Sequence, residues 1–281
     1  MPNPTIGTDP LSLFEAYLHK RKYSPNSIRN YCKAMQRFLA AIAPLSPADL
    51  SSEAVCKAMR GITASCDASE SYANHLINAV KCYYDAIEGR QLGDCMLQRP
   101  SREAALPKVL QRDEVALLLR LTTNLKHKCM LMLLYGAGLR SSELLALLRT
   151  DIDLKARRIR IAGTGKASGR VVPLPDELAP LLADYLAELN PQRFLFEGHV
   201  EREAIGERGL QVLVRLAATR AGLGVAVNPG ILRHSYAAHL LESGASLQYL
   251  QTVMGHSTLR STSVYLHVAR VCKPGSLLEG I

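Results

Sequence analysis

Apolar positions in the first ninety residues recur at helical spacing. Leu11, Phe14 and Leu18 form one stripe. Ile28, Tyr31, Met35, Phe38 and Ile42 form a second, behind the start signal Ser24-Pro25-Asn26. Tyr72, Leu76, Val80, Tyr83 and Ile87 form another that stops near Gly89. The pattern predicts four helices with apolar stripes, the makings of a small bundle. Between Gln91 and Pro107 the periodicity weakens and Gly93, Pro100 and Pro107 appear, which reads as a linker. Helical runs then return around 113–121, 125–136, 141–149, 176–188, 207–221, 231–242, 246–254 and 258–269. One interruption has period two. Arg158-Ile159-Arg160-Ile161 alternates, a turn with Gly163, Gly165 and Gly169 follows, and Val171-Val172 resumes before Pro173. That predicts a β-hairpin with a long polar turn. The expectation is a mainly α, two-domain protein: a helical domain over 8–90, a linker over 91–106, and a mixed domain with a small β-sheet over 107–281.

Charge adds direction to this outline. The 281 residues carry a formal charge of +9. Residues 1–100 hold 11 Lys/Arg against 9 Asp/Glu, and residues 101–281 hold 23 against 16, so the excess lies in the second domain. Such an excess suits a polyanion, because cations that neutralise phosphates release condensed counterions. On the second helix Arg29, Lys33 and Arg37 lie four apart as a basic ridge, either a solvated face or a DNA contact. No stretch is long and apolar enough to suggest a membrane span, and Met1 to Pro10 is too polar for a signal peptide, so a cytoplasmic protein is expected. The seven cysteines are scattered without C-x-x-C spacing, which predicts reduced thiols rather than a disulfide framework or zinc site.

Several kinds of chemistry find no motif here. Gly136-Ala137-Gly138 follows a helical run without a third glycine in register, so it is no dinucleotide fingerprint. His127, His199 and His239 stand apart and suit structural or exposed positions better than metal ligation. Neither a metal nor an organic cofactor is expected. Four other places set polar residues in unusual surroundings: Arg140, with Glu143 one turn on; Lys166 in the hairpin turn; Arg233-His234 in the helix after Asn228-Pro229; and Gly255-His256-Ser257, with Tyr265 in the helix beyond. An arginine opening a helix is opposed by the dipole and calls for an anion, which Glu143 or an external phosphate could supply.

The order Gly138-Leu139-Arg140-Ser141-Ser142-Glu143-Leu144, Leu232-Arg233-His234-Ser235, Met254-Gly255-His256-Ser257 and Tyr265 resembles the tyrosine recombinase (phage integrase) family. Leu106-Pro107-Lys108-Val109-Leu110 and His239-Leu240-Leu241 agree, and the likeness covers nearly the whole chain, in the compact form of Xer, integron or transposon-borne members. The resemblance implies a DNA clamp formed by a core-binding domain and a catalytic domain, acting on double-stranded recombination sites as a homo-tetramer with the segment after Tyr265 packed on a neighbour. It implies that Arg140 and Arg233 hold the scissile phosphate, that Lys166 is the general acid, that His256 is the third-motif histidine, and that Tyr265 is the nucleophile of a 3′-phosphotyrosine intermediate. Glu143 and His234 are supporting residues in this scheme, and Arg170 joins Arg29, Lys33 and Arg37 as a DNA contact. The histidine expected three residues before the second arginine is absent, because Gly230 stands there. His234, one residue past Arg233, is expected to point about 100° away around the helix and not to replace it. Two alternatives stay open: a DNA-binding accessory protein that has lost cleavage, and a topoisomerase-like strand relaxer.

Overall fold

The structure is a computed structural model that describes residues 9–65, 70–92, 106–163, 169–198, 203–224 and 226–269. It divides into two compact units, Met1–Ala104 and Ala105–Ile281. Among the described residues it is mainly helical, with a single three-stranded sheet.

The first unit holds α1 (Pro10–Lys20), α2 (Pro25–Ile42), a short 3₁₀ turn (Pro47–Asp49), α3 (Ser52–Ser65) and α4 (Glu70–Ala86). The start of α2 follows from sequence chemistry. Ser24 caps it by accepting the Ser27 amide at 3.1 Å, and Pro25 occupies the first turn, where its missing N–H costs nothing. Phe14, Leu18, Met35, Phe38, Leu76 and Val80 fill the core around two tyrosines. Tyr83 and Tyr84 meet edge to face at 5.6 Å, and each buried ring finds a partner for its hydroxyl. Tyr83 donates to Glu88 and Tyr84 to the Pro47 carbonyl, both at 2.8 Å. One expectation fails in this unit. Cys56 of α3 is disulfide-bonded, whereas Cys32, Cys82 and Cys129 are free thiols. Pairing depends on proximity in space, and spacing along the chain carried no trace of it.

The second unit is built on two largely buried helices. In α6 (Leu125–Gly136) every side chain from Cys129 to Tyr135 is buried, as befits a helix surrounded by others. Against it packs α10 (Pro229–Glu242), buried along most of its length. Around them lie α5 (Arg112–Arg120), α7 (Ser141–Ala146), α8 (Leu178–Leu189), α9 (Glu207–Arg220), α11 (Leu247–Met254) and the four-residue α12 (Arg260–Ser263). The predicted run 141–149 ends early at Ala146, and the run 258–269 breaks into α12 and a 3₁₀ turn, Val264–His267. The hairpin forms as β2 (Arg158–Ile161) and β3 (Arg170–Pro173), antiparallel, with Ile159 opposite Val172. Ile159 and Ile161 face the core while Arg158 and Arg160 face out, the alternation the sequence displays. A two-residue strand, β1 (Ile152–Asp153), adds to β2 and was too short to leave a periodic signal.

The chain enters this unit fastened to α10. The Leu110 amide donates to Ser235 Oγ at 2.8 Å. Arg112 Nη2 donates to the His239 carbonyl and to Ser243 Oγ, both at 2.9 Å. One turn along α10 from Ser235, the Tyr135 hydroxyl and His239 Nδ1 lie 2.9 Å apart, which gives His239 a structural place. No helix among the described residues is long and apolar enough to cross a membrane.

Candidate active site

Arg140, Glu143, Arg170, Arg233, His234, His256 and Tyr265 come together in the second unit, although their elements are far apart in sequence. Glu143 is the hub. As the third residue of α7 it accepts the Arg140 backbone amide at 2.8 Å, closing the first turn, and Arg140 Nη1 at 2.7 Å. Arg170, the first residue of β3, reaches the same carboxylate with Nη1 at 2.7 Å and Nη2 at 2.9 Å, a bidentate pair. Arg233 Nη1 stands 3.6 Å from it. Burial alone would raise the carboxyl pKa, but the hydrogen bonds and charge of Arg170 and Arg140 outweigh it and hold Glu143 down at about 2.

Three cations around one carboxylate leave an excess of two positive charges, and the end of α11 helps to hold them. Arg170 Nε donates to the Val253 carbonyl at 2.7 Å, Arg233 Nη2 to that of Met254 at 2.6 Å, and Arg140 Nη2 to that of Gly255 at 2.9 Å. These carbonyls have no intrahelical partner and carry the negative end of the helix dipole, so guanidiniums suit them. Gly255 ends the helix at φ +61°, where a side chain is strained, and an added Cβ would sit 2.8 Å from Arg170 Nη1. Gly138, at φ +60°, is equally constrained. Its carbonyl accepts Arg233 Nη1, and an added Cβ would lie 2.4 Å from the Tyr236 ring. The Gly-Leu-Arg and Gly-His pairs of the sequence are thus the places where the backbone turns to meet arginines. The Arg233 guanidinium is buried, and burial with the neighbouring Arg140 lowers its pKa to about 10.

His256 follows Gly255 into the same space. Its Nε2 lies 3.3 Å from Arg233 Nη2 and its Nδ1 lies 2.9 Å from Thr262 Oγ1. An arginine only donates, so Nε2 carries the lone pair and Nδ1 donates to Thr262. Burial and the charges of Arg233, Arg140 and Arg170 push the ring down to about 4, so it is neutral near pH 7. Tyr265 stacks beside it, ring centroids 6.4 Å apart and planes within 9°. Its hydroxyl lies 2.7 Å from His234 Nδ1. Burial raises the phenol pKa, and Arg233 and Arg140 pull the other way.

Four placements bear on the sequence expectations. His234 was expected to point away from the tyrosine; it touches the hydroxyl, because Tyr265 approaches α10 on the His234 side rather than the Arg233 side. Arg170, expected to face DNA, has its guanidinium turned inward onto Glu143 and Val253. Arg29, Lys33 and Arg37 belong to α2 in the first unit. There Lys33 and Arg37 line a hollow of about 680 Å³ with Asn30, Gln36, Tyr72 and His75, and Arg37 lies 5.0 Å over the Tyr72 ring. Lys166 lies outside the described residues. Sequence reasoning missed Thr262, fully buried, which fixes the His256 ring, and Tyr236, which packs where Gly138 leaves room. Nothing in a threonine among Ser and Arg residues announces such a role.

A scan against family models matches residues 108–271 to the phage integrase family. The chain belongs to that family. It is 32% identical to a tyrosine recombinase of Thermosipho africanus over 275 residues, covering 92% of this chain and 95% of the relative. It is 31% identical to tyrosine recombinase XerA of Thermococcus onnurineus over 282 residues, covering 95% of each. Its fold is similar to the Tn1549 transposon integrase solved with transposon right-end DNA (TM-score 0.75, 16% identity, 92% of this chain and 94% of that one). It is also similar to XerH recombinase bound to palindromic difH substrate (TM-score 0.74, 20% identity, 91% and 82%).

Proposed function

We propose that this phage integrase family member is an active site-specific recombinase that cleaves and rejoins DNA through Tyr265. The observation that carries the reading is the convergence of Arg140, Arg233, His256 and Tyr265 on one space with an excess of positive charge. A phosphodiester repels nucleophiles, and its transition state spreads further negative charge over the nonbridging oxygens. Two fixed guanidiniums stabilise that charge without a metal. Arg233 is buried and pinned, whereas the Arg140 side chain is 40% exposed and open to a phosphate from solvent. The Tyr265 oxygen then attacks phosphorus, and the 5′ oxygen departs with a proton from Lys166. The ester keeps the bond energy, so a 5′ hydroxyl reverses the step without ATP.

In this reading the helical unit supplies further DNA contacts through Arg29, Lys33 and Arg37, so that the two units clamp the duplex. Strand exchange takes place in a homo-tetramer on two sites, in the cytoplasm. The test is a nicked suicide substrate, in which the cleaved fragment diffuses away and traps the covalent adduct on a denaturing gel. The wild-type protein should give a DNA-linked band and Tyr265→Phe none, with binding to the site unchanged. A band persisting in Tyr265→Phe means that another residue is the nucleophile. Strand exchange between paired sites separates recombination from mere relaxation, and no adduct at all would leave a binding protein.

A further inference from the structure

We infer that His234 is the proton acceptor for Tyr265 in the cleavage step, taking the place that Gly230 leaves empty; the inference rests on Tyr265 being the nucleophile. Among the described residues, His234 Nδ1 is the one side-chain partner of the Tyr265 hydroxyl, at 2.7 Å and within the reach that proton transfer requires. The arrangement follows from helix geometry. Residues 230 and 234 of α10 are one turn apart and share a face, and helical side chains lean toward the N-terminus. The His234 ring therefore leans over residue 230, and an added Cβ on Gly230 would stand 4.0 Å from His234 Nε2 and 3.0 Å from Asn228 Oδ1. Asn228 Oδ1 is engaged as the helix cap, accepting the Ile231 amide at 3.1 Å. Gly230 itself has no side chain to offer the hydroxyl, and the His234 ring one turn on meets it with Nδ1. A proton acceptor thus sits one turn along from where the family resemblance looks for one.

The step balances. The bond from Tyr265 Oη to phosphorus forms as the bond from phosphorus to the 5′ oxygen breaks. The phenolic proton passes to His234 Nδ1, which becomes an imidazolium with its other proton on Nε2. The leaving oxygen takes a proton from Lys166. In rejoining, the 5′ hydroxyl attacks and returns its proton to Lys166, and the departing tyrosinate recovers its own from His234. The charged and titratable groups facing His234 are Arg233 on its own helix, Tyr265 on the 3₁₀ turn and His256 beyond α11. Burial and then Arg233 lower the His234 pKa, so the ring is neutral and ready to accept near pH 7.

The experiment measures single-turnover cleavage of the suicide substrate from mildly acidic to alkaline pH for wild type and His234→Asn. The asparagine carbonyl can stand where Nδ1 stands and accept the hydroxyl hydrogen bond, but it takes no proton. The wild-type rate should fall toward acid pH as His234 becomes protonated. His234→Asn should be slower near neutrality by roughly 10²–10⁴, lose the acid limb, and speed up with alkali as tyrosinate forms. A second substrate, with sulfur for the bridging 5′ oxygen, has a leaving group that needs no proton. It should restore Lys166→Ala and leave His234→Asn slow. The inference is overturned if His234→Asn keeps the wild-type rate, if it slows equally at all pH as a merely positioning residue would, or if the sulfur substrate restores it as fully as Lys166→Ala. Melting temperature and site affinity of His234→Asn guard against misfolding. Should that variant not fold, the wild-type acid limb still decides, and a flat one counts against His234. An adduct in Tyr265→Phe, by contrast, sinks the nucleophile assignment itself.

Discussion

Glu143 accepts both terminal nitrogens of Arg170, at 2.7 and 2.9 Å, while also receiving Arg140 through its backbone and its side chain. A single carboxylate, its side chain 5% exposed, therefore fixes two guanidiniums and lies beside a third. Glu143→Gln keeps the shape and removes the charge, leaving three arginines to repel one another. Breaking a buried ion pair in this way costs about 3–5 kcal/mol, less here because Arg140 is partly open to water. The variant should unfold at lower denaturant concentration and lose most of its cleavage activity, read on the same suicide substrate.

The same residue sets part of the acid stability. Its pKa is depressed to about 2 in the folded protein, so its contribution is fully present above the ordinary carboxylate range and drains away as pH falls from there toward 2. Chemical denaturation as a function of pH should show wild type losing stability through that window. Glu143→Gln should show a shallower loss, and an identical slope in the two proteins would mean that the carboxylate is not the group being titrated.

Gly138→Ala should harm both stability and chemistry. The positive φ costs about 1–3 kcal/mol for a residue with a side chain, and the Tyr236 ring in the way adds a similar overpacking cost. Because the Gly138 carbonyl holds Arg233, cleavage should fall further than stability alone explains. Gly222→Ala is the matching control: it has φ +64° with open space around it, so strain alone should register in unfolding and activity should persist.

Cleavage should proceed in excess chelator, since guanidiniums supply the positive charge that a metal would otherwise bring to the phosphate. The first strand cut, followed with and without chelator, checks this, and strict dependence on a divalent ion would contradict it.

On α2, Lys33→Gln and Arg37→Gln should each weaken DNA binding across sequences and reduce the slope of log affinity against log salt by about one. Fluorescence anisotropy over a salt series gives both quantities. Unchanged slopes would make the ridge a solvated face.

Much of the fold was legible because it is written in periodicity. The stripes of α1, α2 and α4 and the alternation of Arg158 to Ile161 each report a buried face directly. The site residues were marked otherwise, by the order of the arginine, histidine and tyrosine motifs and the family that this order resembles. What the sequence hid was relational. Arg170 looked like a surface cation because nothing nearby in the chain reveals that Glu143 will face it. His234 was read from its angle on an ideal helix, and that angle does not say from which side of α10 the tyrosine arrives. Tyr236 packs against Gly138, nearly a hundred residues away, and Thr262 meets His256 only because the chain turns between them, which no helical or strand period reports.

The hydrogen bonds from Leu110 and Arg112 to Ser235, His239 and Ser243 join the entry of the second unit to α10. Ser235 stands one residue from His234 and two from Arg233, so the start of this unit and the stretch of helix that carries both side chains are anchored to each other, and a substitution at Leu110 or Arg112 reaches that stretch without touching it.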